Sequence, residues 1–250
     1  MKPRFKITAT IVLYKDNLNI LEQTIKSFLE TNVSKKLFLV DNNSTDTLKS
    51  EFNHADIEYI FVGKNIGFGK AHNLVLDKVT SDFHLILNPD IQFSRLVLPN
   101  LINVLNHQKD VSFISPRVVY PNKENQFICR KNPTPFDLIN RRLNISKQKI
   151  FENEYRSKSL LEPFSPEFIH GCFMLFKTKE FVNLNGFDER YFLYMEDADI
   201  CRKVYQSGKK IYYYPKEIIT HTHQKGSSKK AKLFFYHLSS AIKYFLKWGI

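Results

Sequence analysis

Apolar positions along the chain fall into short runs of strand character separated by stretches with helical spacing. Residues 6–14, KITATIVLY, are β-branched and apolar, as a buried strand requires. Leu18, Leu21, Ile25, Phe28 and Leu29 then recur at intervals of three and four, which predicts one face of a helix. KLFLV at 36–40 predicts a second strand ending at Asp41, and IEYIFV at 57–62 a third. The glycine-containing loop GKNIGFG, 63–69, leads into a predicted helix over 70–79 and a strand over 83–87. A helix over 96–106 and a strand near 111–115 complete this half.

Strands alternating with helices predict an α/β fold with a mostly parallel central sheet and helices on both faces. Ligands of such sheets bind beyond the carboxyl ends of the strands, where the strand order reverses. Tyr14, Asp41, residues 63–69 and residues 88–90 all fall at predicted strand carboxyl ends. Four polar clusters at one edge are the first functional signal.

Periodicity is weak over 120–168, a stretch rich in Asn, Lys, Arg and Pro that reads as a long loop or a small helical insertion. Patterning returns with FIHGCFMLFK, 168–177, a predicted strand with Gly171 inside it. A helix from about 197 to 207 follows, with Gly208 placed as a C-cap glycine, and then a strand closing on Pro215. No internal repeat is present.

Composition narrows the class. The 250 residues suit one large domain, or one domain with a C-terminal extension, and 43% hydrophobic content supports a sizeable core. The net charge of +12 favours an anionic partner: a nucleotide, a nucleic acid or an acidic membrane surface. Cys129, Cys172 and Cys201 are widely spaced without a CxxC pair, so neither a disulfide scaffold nor a thiolate zinc site is expected. With no signal-peptide pattern and no run of 18 apolar residues, the expected location is cytoplasmic. Residues 225–250 hold six lysines and no acid, with Phe234, Phe235, Leu238, Ile242, Phe245 and Leu246 interleaved at helical spacing. Such a basic amphipathic helix can lie on an anionic membrane or pack its apolar stripe on protein.

The motifs each have a plain structural reading. In LVDNNSTD, 39–46, Asp41 could accept a hydrogen bond from the imide of uracil or thymine, or the Asx residues could simply make a turn. VGKNIGFGKAHN, 62–73, places glycines where a phosphate could approach, but it is neither a Walker loop nor a GxGxxG fingerprint. In LNPD, 87–90, Asp90 could hold a divalent cation, or the segment could be a proline turn. YMEDADIC, 194–201, sets three carboxylates at a helix start, where a cap is one role and a desolvated base with a raised pKa another. THTHQKGSSKK, 220–230, brings two alternate histidines to a basic stretch.

In this order, TIVLY, LVDNNSTD, KNIGFGKAHN, LNPD, HGCFMLFK and GFDERYFLYMEDADICRK resemble family 2 glycosyltransferases with the GT-A fold, in particular the bacterial rhamnosyltransferase-like branch. The likeness runs from about residue 7 to residue 228, less clearly through 120–168.

The resemblance implies a nucleotide-sugar donor, dTDP- or UDP-linked and in this branch dTDP-rhamnose among the options, with Mn²⁺ or Mg²⁺ on its diphosphate. Asp90 matches the last acid of the metal-binding D-x-D-type motif, Asn88 stands in place of the first, and His221 matches the late metal ligand, with His223 as a rival. Donor contacts are implied for Val12, Tyr14, Asp41, Asn43, Lys64, Asn65, Gly67, Asn73 and Asn88. Asp197 matches the catalytic base of an inverting single displacement, while His170, Gly171, Glu196 and Asp199 fall on the acceptor side. The acceptor implied is a glycan or lipid-linked glycan of surface polysaccharide synthesis.

The expected layout is a catalytic domain over 1–224, with 120–168 as an acceptor-side insertion or lid, and a basic helical extension over 225–250. A nucleotidyltransferase would share the sheet and metal but leave the Glu196–Asp197 pair without its role. A nucleic-acid-binding protein is disfavoured, because the excess charge concentrates in the tail and no RRM, KH or zinc-finger signature is present. Association into an oligomer remains compatible with the sequence.

Overall fold

A computed structural model describes residues 5–158, 160–222 and 231–249; His223 and Lys225 lie outside them. The first half alternates as the pattern predicts: β1 (Lys6–Leu13), α1 (Leu18–Leu29), β2 (Ser34–Asp41), β3 (Ile57–Phe61), α2 (Phe68–Asn73) and β4 (Phe83–Leu87). Then come β5 (Ile91–Gln92), α3 (Val97–His107) and β6 (Val111–Val119). The former loop-like stretch holds β7 (Cys129–Arg130), α4 (Pro135–Leu143) and α5 (Lys147–Asn153). The chain continues through β8 (Phe168–Ile169), β9 (Phe173–Lys177), α6 (Thr178–Asn183), α7 (Glu196–Gln206), β10 (Lys210–His221) and α8 (Ala231–Trp248).

The main sheet has eight strands in the order β3-β2-β1-β4-β9-β6-β10-β5. Its β3-β2-β1-β4 half is parallel; β9 runs antiparallel to β4 and β6, and β5 antiparallel to β10. Strand alternation gives the two faces to different helices. Ile7, Ala9, Ile11 and Leu13 of β1 bury against Leu21, Ile25 and Phe28 of α1 in one cluster. Phe38 and Val40 of β2 bury against Ala71 of α2 and Val75 in the other. Helices therefore cover both faces, which forces the polar groups to the strand ends.

Three elements depart from the periodic reading. The helix expected over 70–79 stops at Asn73, and Leu76–Lys78 is a separate 3₁₀ turn. Asn73 is thus a last helical residue, and its amide bonds to the backbone of Phe187 instead of continuing a surface. The strand expected over 168–177 is broken at 170–172. β8 pairs with β7 in a small sheet of its own, β9 joins the main sheet, and Gly171 sits in the turn between them. The last strand does not close on Pro215 but runs on to His221. Its register against β6 shifts between Tyr214 and Ile218, and this irregularity accommodates a proline that has no N–H to donate to the ladder.

Asn144 ends α4 in the left-handed conformation at φ 52°, and Thr134 and Asp137 form a reciprocal capping box at its start. Local capping, more than apolar burial, defines this insertion: Asn140 is its one buried helical residue.

Candidate active site

The site lies where β1, β2 and β4 end, beside the 170–172 turn. At the β2 end, Asp41 is fully buried and its Oδ1 accepts from the backbone N–H and the side-chain amide of Asn43, at 2.8 and 2.7 Å. The Tyr59 hydroxyl donates to the other Asp41 oxygen. Asn43 in turn accepts the Lys15 N–H at 3.0 Å, tying the β1 and β2 ends together. Val12 is half-buried and Tyr14 is 43% exposed at the same edge.

Asn65 accepts the Gly67 N–H at 2.9 Å, and the buried Asn42 donates to the Gly67 carbonyl at 3.2 Å. Gly67 has φ 95°, and a Cβ there would stand 2.4 Å from the Phe192 carbonyl oxygen, so only glycine permits this approach. Lys64 is exposed in the loop ahead of it.

Beyond β4, Asn88 donates its N–H to the Cys172 carbonyl at 2.9 Å, and Thr24 holds the Pro89 carbonyl at 2.8 Å. Asp90 is thereby fixed facing β10, with its Oδ1 3.1 Å from His221 Nε2. His221 Nδ1 meets Gln126 Oε1 at 2.9 Å, and the same glutamine's amide donates to the His221 carbonyl at 2.8 Å. Burial opposes charge on the imidazole, but Asp90 and Cys172 outweigh it and raise its pKa to about 10.

The third centre is the start of α7. Asp197 Oδ2 accepts the Gly171 N–H at 3.2 Å and lies 3.3 Å from His170 Nδ1, while its Oδ1 accepts the Ala198 N–H at 2.9 Å. Burial raises its pKa, yet His170 and the two N–H groups together hold it below the ordinary carboxylate value. Glu196 shows the opposite balance: burial, and then the Asp197 charge, push it well above the ordinary value. Its Oε2 is buried with no hydrogen bond among the described residues. The desolvated carboxyl with a raised pKa is therefore Glu196, not Asp197. Burial and the Asp197 charge thus oppose ionisation of Glu196, while the His170 contact and the two N–H groups favour it on Asp197.

The 170–172 turn links the centres. Gly171 touches Asp197, and Cys172 holds Asn88 two residues before Asp90. A Cβ on Gly171 would stand 3.2 Å from the Asp197 Cβ.

Two expected site residues are turned elsewhere. Asn73 clamps the loop at 187–189, donating to the Phe187 carbonyl at 2.8 Å and accepting the Phe187 N–H at 2.9 Å. Asp199 is fully buried against α8, not on the acceptor side, because it sits two positions round the helix from Asp197. One group at this edge was not singled out from the sequence. Asp16 caps the turn after β1 by accepting the Tyr14 N–H at 2.7 Å. Although Asp16 is exposed, its carboxyl is pushed up to about 6, first by the surrounding protein, against the opposing Tyr14 N–H, and then by Asp90 and Asp41. A polar Y-K-D-N run directly after the first strand was the available signal.

Comparison with known proteins decides the class. The family model "Glycosyl transferase family 2" matches residues 9–180, and "N-terminal domain of galactosyltransferase" matches residues 158–225. The chain belongs to glycosyltransferase family 2. It is 28% identical to the rhamnosyltransferase WbbL of Escherichia coli K12 over 241 residues, covering 89% of this chain and 88% of that protein. It is 24% identical to the N-acetylglucosaminyl-diphospho-decaprenol L-rhamnosyltransferase of Mycobacterium tuberculosis, covering 89% of this chain and 78% of that one. Among solved structures it superposes on GalNAc-T7 with UDP, GalNAc and Mn²⁺ at a TM-score of 0.67 and 13% identity. That match covers 89% of this chain and 44% of the other, so it speaks for the GT-A fold alone. This family 2 protein is thus a rhamnosyltransferase-like enzyme that transfers a sugar from a nucleotide donor.

Proposed function

We propose that this enzyme inverts configuration in transferring a sugar, rhamnose foremost, from a dTDP- or UDP-sugar to a hydroxyl of a lipid-linked glycan in surface polysaccharide synthesis. The observation that carries the reading is the linkage of Asp90–His221 to Asp197 through the 170–172 turn. It ties the Asp90–His221 pair and the Asp197 carboxylate to one short backbone segment, which supports reading them as parts of one site.

A divalent cation fits the donor set. Cis ligands of a small octahedral cation with bonds of about 2.1 Å stand about 3.0 Å apart. Asp90 Oδ1 and His221 Nε2 are 3.1 Å apart. Two protein ligands leave positions for phosphate oxygens and water, the usual pattern for Mg²⁺ or Mn²⁺. Bound there, the cation would neutralise charge developing on the diphosphate. To hold the cation, the His221 imidazole would have to release the proton that Asp90 and Cys172 favour on it.

The chain's own groups do the rest. Asp41, held by Asn43 and Tyr59, stands where a pyrimidine imide would be read, with Val12, Tyr14 and Lys64 bordering the same edge. Asn65, Gly67 and Asn88 shape the backbone that the diphosphate approaches. Asp197 Oδ2 removes the proton from the acceptor hydroxyl as that oxygen attacks the anomeric carbon. The bond from that carbon to the diphosphate oxygen breaks, and the nucleoside diphosphate leaves with the electron pair. His170 and the Gly171 N–H orient the carboxylate. Burial and the Asp197 charge oppose ionisation of Glu196, and so a second charge beside the base.

We assign the catalytic body to 1–224, the insertion at 120–168 to the acceptor side, and α8, Ala231–Trp248, to the extension at 225–250. Among the described residues no helix is long and apolar enough to cross a membrane. Helix α4 meets the start of α8, with the Arg142 guanidinium 4.1 Å over the Phe234 ring. They expose Ile139, Leu143, Ile242 and Leu246, the last at 83%. With Lys232 and Arg142 on the same two helices, these apolar and basic side chains suit the surface of an anionic bilayer, where lipid-linked acceptors reside.

Calorimetric titration with UDP and dTDP, each with and without Mn²⁺, tests the donor site. Metal-dependent binding that disappears in Asp90→Ala is expected. Binding indifferent to both metal and Asp90 would overturn the metal assignment, and no nucleotide binding at all would overturn the donor site.

A further inference from the structure

Glu154, at the end of α5, is 4% exposed and is met by three guanidinium groups. Arg141 reaches its Oε1 at 2.9 Å and Arg156 its Oε2 at 2.5 Å, with Arg130 3.8 Å from Oε1. Glu154 supplies one negative charge to three guanidinium groups, and beyond it the carboxylate that acts on Arg130 is Asp197 of the site. A clamp that only joined α4, α5 and β7 would need no such excess, because unbalanced charge in a partly buried setting is unfavourable.

The excess charge faces the site. Arg130 pairs in register with Phe168 of β8, two residues before His170, and His170 donates its N–H to the Ile128 carbonyl at 3.0 Å. After burial, the Arg130 charge is the largest influence lowering the His170 pKa, to about 4. Arg130 Nε is buried and makes no hydrogen bond among the described residues. The three arginine side chains stay 21%, 34% and 37% exposed for Arg130, Arg141 and Arg156, so their outer edges remain available. On the opposite side of α4 from this cluster, Phe136, Ile139 and Leu143 are exposed and apolar.

We propose that Arg130, Arg141 and Arg156 form an anion subsite that holds the phosphate or diphosphate linking the acceptor sugar to its lipid. The inference rests on the lipid-linked acceptor proposed above and assigns the residues that recognise it. Planar guanidinium forks suit the paired oxygens of a phosphate. An acceptor gripped by its phosphate at this cluster would present its sugar hydroxyl toward Asp197, with its lipid leaving along the apolar side of α4.

The test is calorimetry on the full chain in EDTA, which removes cation from the donor site. Three probes are used: farnesyl diphosphate, inorganic diphosphate and farnesol. Farnesyl diphosphate should bind, and Arg141→Gln should weaken it about tenfold, as expected for losing a charge-assisted hydrogen bond. Arg156→Gln, on a more exposed side chain, serves as the second variant should Arg141→Gln fold poorly by thermal melt. Asp90→Ala should leave this binding unchanged. Binding unaltered in both arginine variants, or lost in Asp90→Ala, overturns the subsite. Equal binding of inorganic and farnesyl diphosphate overturns the lipid-linked source, and equal binding of farnesol overturns phosphate recognition altogether. Failure of nucleotide binding with Mn²⁺, while farnesyl diphosphate still depends on Arg141, would sink the donor reading and leave this subsite standing.

Discussion

Trp248 donates its indole N–H to Asp199 Oδ1 at 2.7 Å, and Lys247 donates to the same oxygen at 2.7 Å. These contacts fasten the last turn of α8 to α7, two residues beyond Asp197. Further along, Ser240 bonds to the Leu193 carbonyl at 2.9 Å and Lys243 to the Arg190 carbonyl at 2.7 Å. The segment so braced contains Tyr194 and Met195, both left-handed at φ 69° and 70°. Two such residues in succession are strained, and packing on α8 holds them so that α7 begins with Glu196 and Asp197 in the cleft.

Asp199→Asn should therefore act on stability and not on donor recognition. Disrupting a buried charge pair costs about 3 kcal/mol, which should appear as a lowered melting temperature. Trp248 is the chain's one tryptophan, so its emission should shift to the red as α8 loosens. Unchanged nucleotide affinity is expected; a large loss would return Asp199 to the site.

Asp197→Asn should retain nucleotide binding and lose turnover by about 10²- to 10⁴-fold, the usual contribution of a general base. Glu196→Gln should keep turnover within about tenfold, because burial and the Asp197 charge already oppose ionisation of its carboxyl. Kinetics on both variants with one acceptor decide it; a larger loss in Glu196→Gln would move the base to that residue.

Gly171→Ala tests the link between the two halves of the cleft. Its Cβ would press on the Asp197 Cβ at 3.2 Å, shifting the carboxylate by a few tenths of an ångström without removing it. The expected result is reduced kcat with donor affinity intact. Wild-type kcat would show that the carboxylate has room to move.

Acid should release α8. Hydrogen bonding from Arg190, and then Lys247, outweighs burial and depresses the Asp188 carboxyl below its ordinary 3.8. A carboxylate with a depressed folded-state pKa stabilises the fold above its unfolded value, and that stability is lost as pH falls toward the folded one. Below pH 3.8 the Trp248 emission should therefore move to the red progressively, and Asp188→Asn should show weaker docking already at neutral pH. Identical pH profiles for wild type and Asp188→Asn would remove Asp188 from the linkage.

What the sequence determined was governed by local periodicity. The apolar alternation of β1, β2 and β4 and the spacing of α1 and α3 follow from side chains that must all face one core. The order of the motifs likewise carried the fold and set Tyr14, Asp41 and Asp90 at or just after strand carboxyl ends, with Asp197 at the start of a helix.

Tertiary structure decided the direction of individual side chains, which periodicity does not carry. Asn73 and Asp199 lie in motifs of the right order, yet one clamps Phe187 and the other anchors Trp248. Along α7, Asp197 and Asp199 differ by two helical steps, enough to turn one into the cleft and the other into the body of the protein. The break at 170–172 and the passage of β10 through Pro215 also depended on partners distant in sequence, Asn88 and β6. The charge excess around Glu154 was invisible for the same reason. Arg130, Arg141 and Arg156 are separated along the chain, and only folding brings their charges onto one carboxylate.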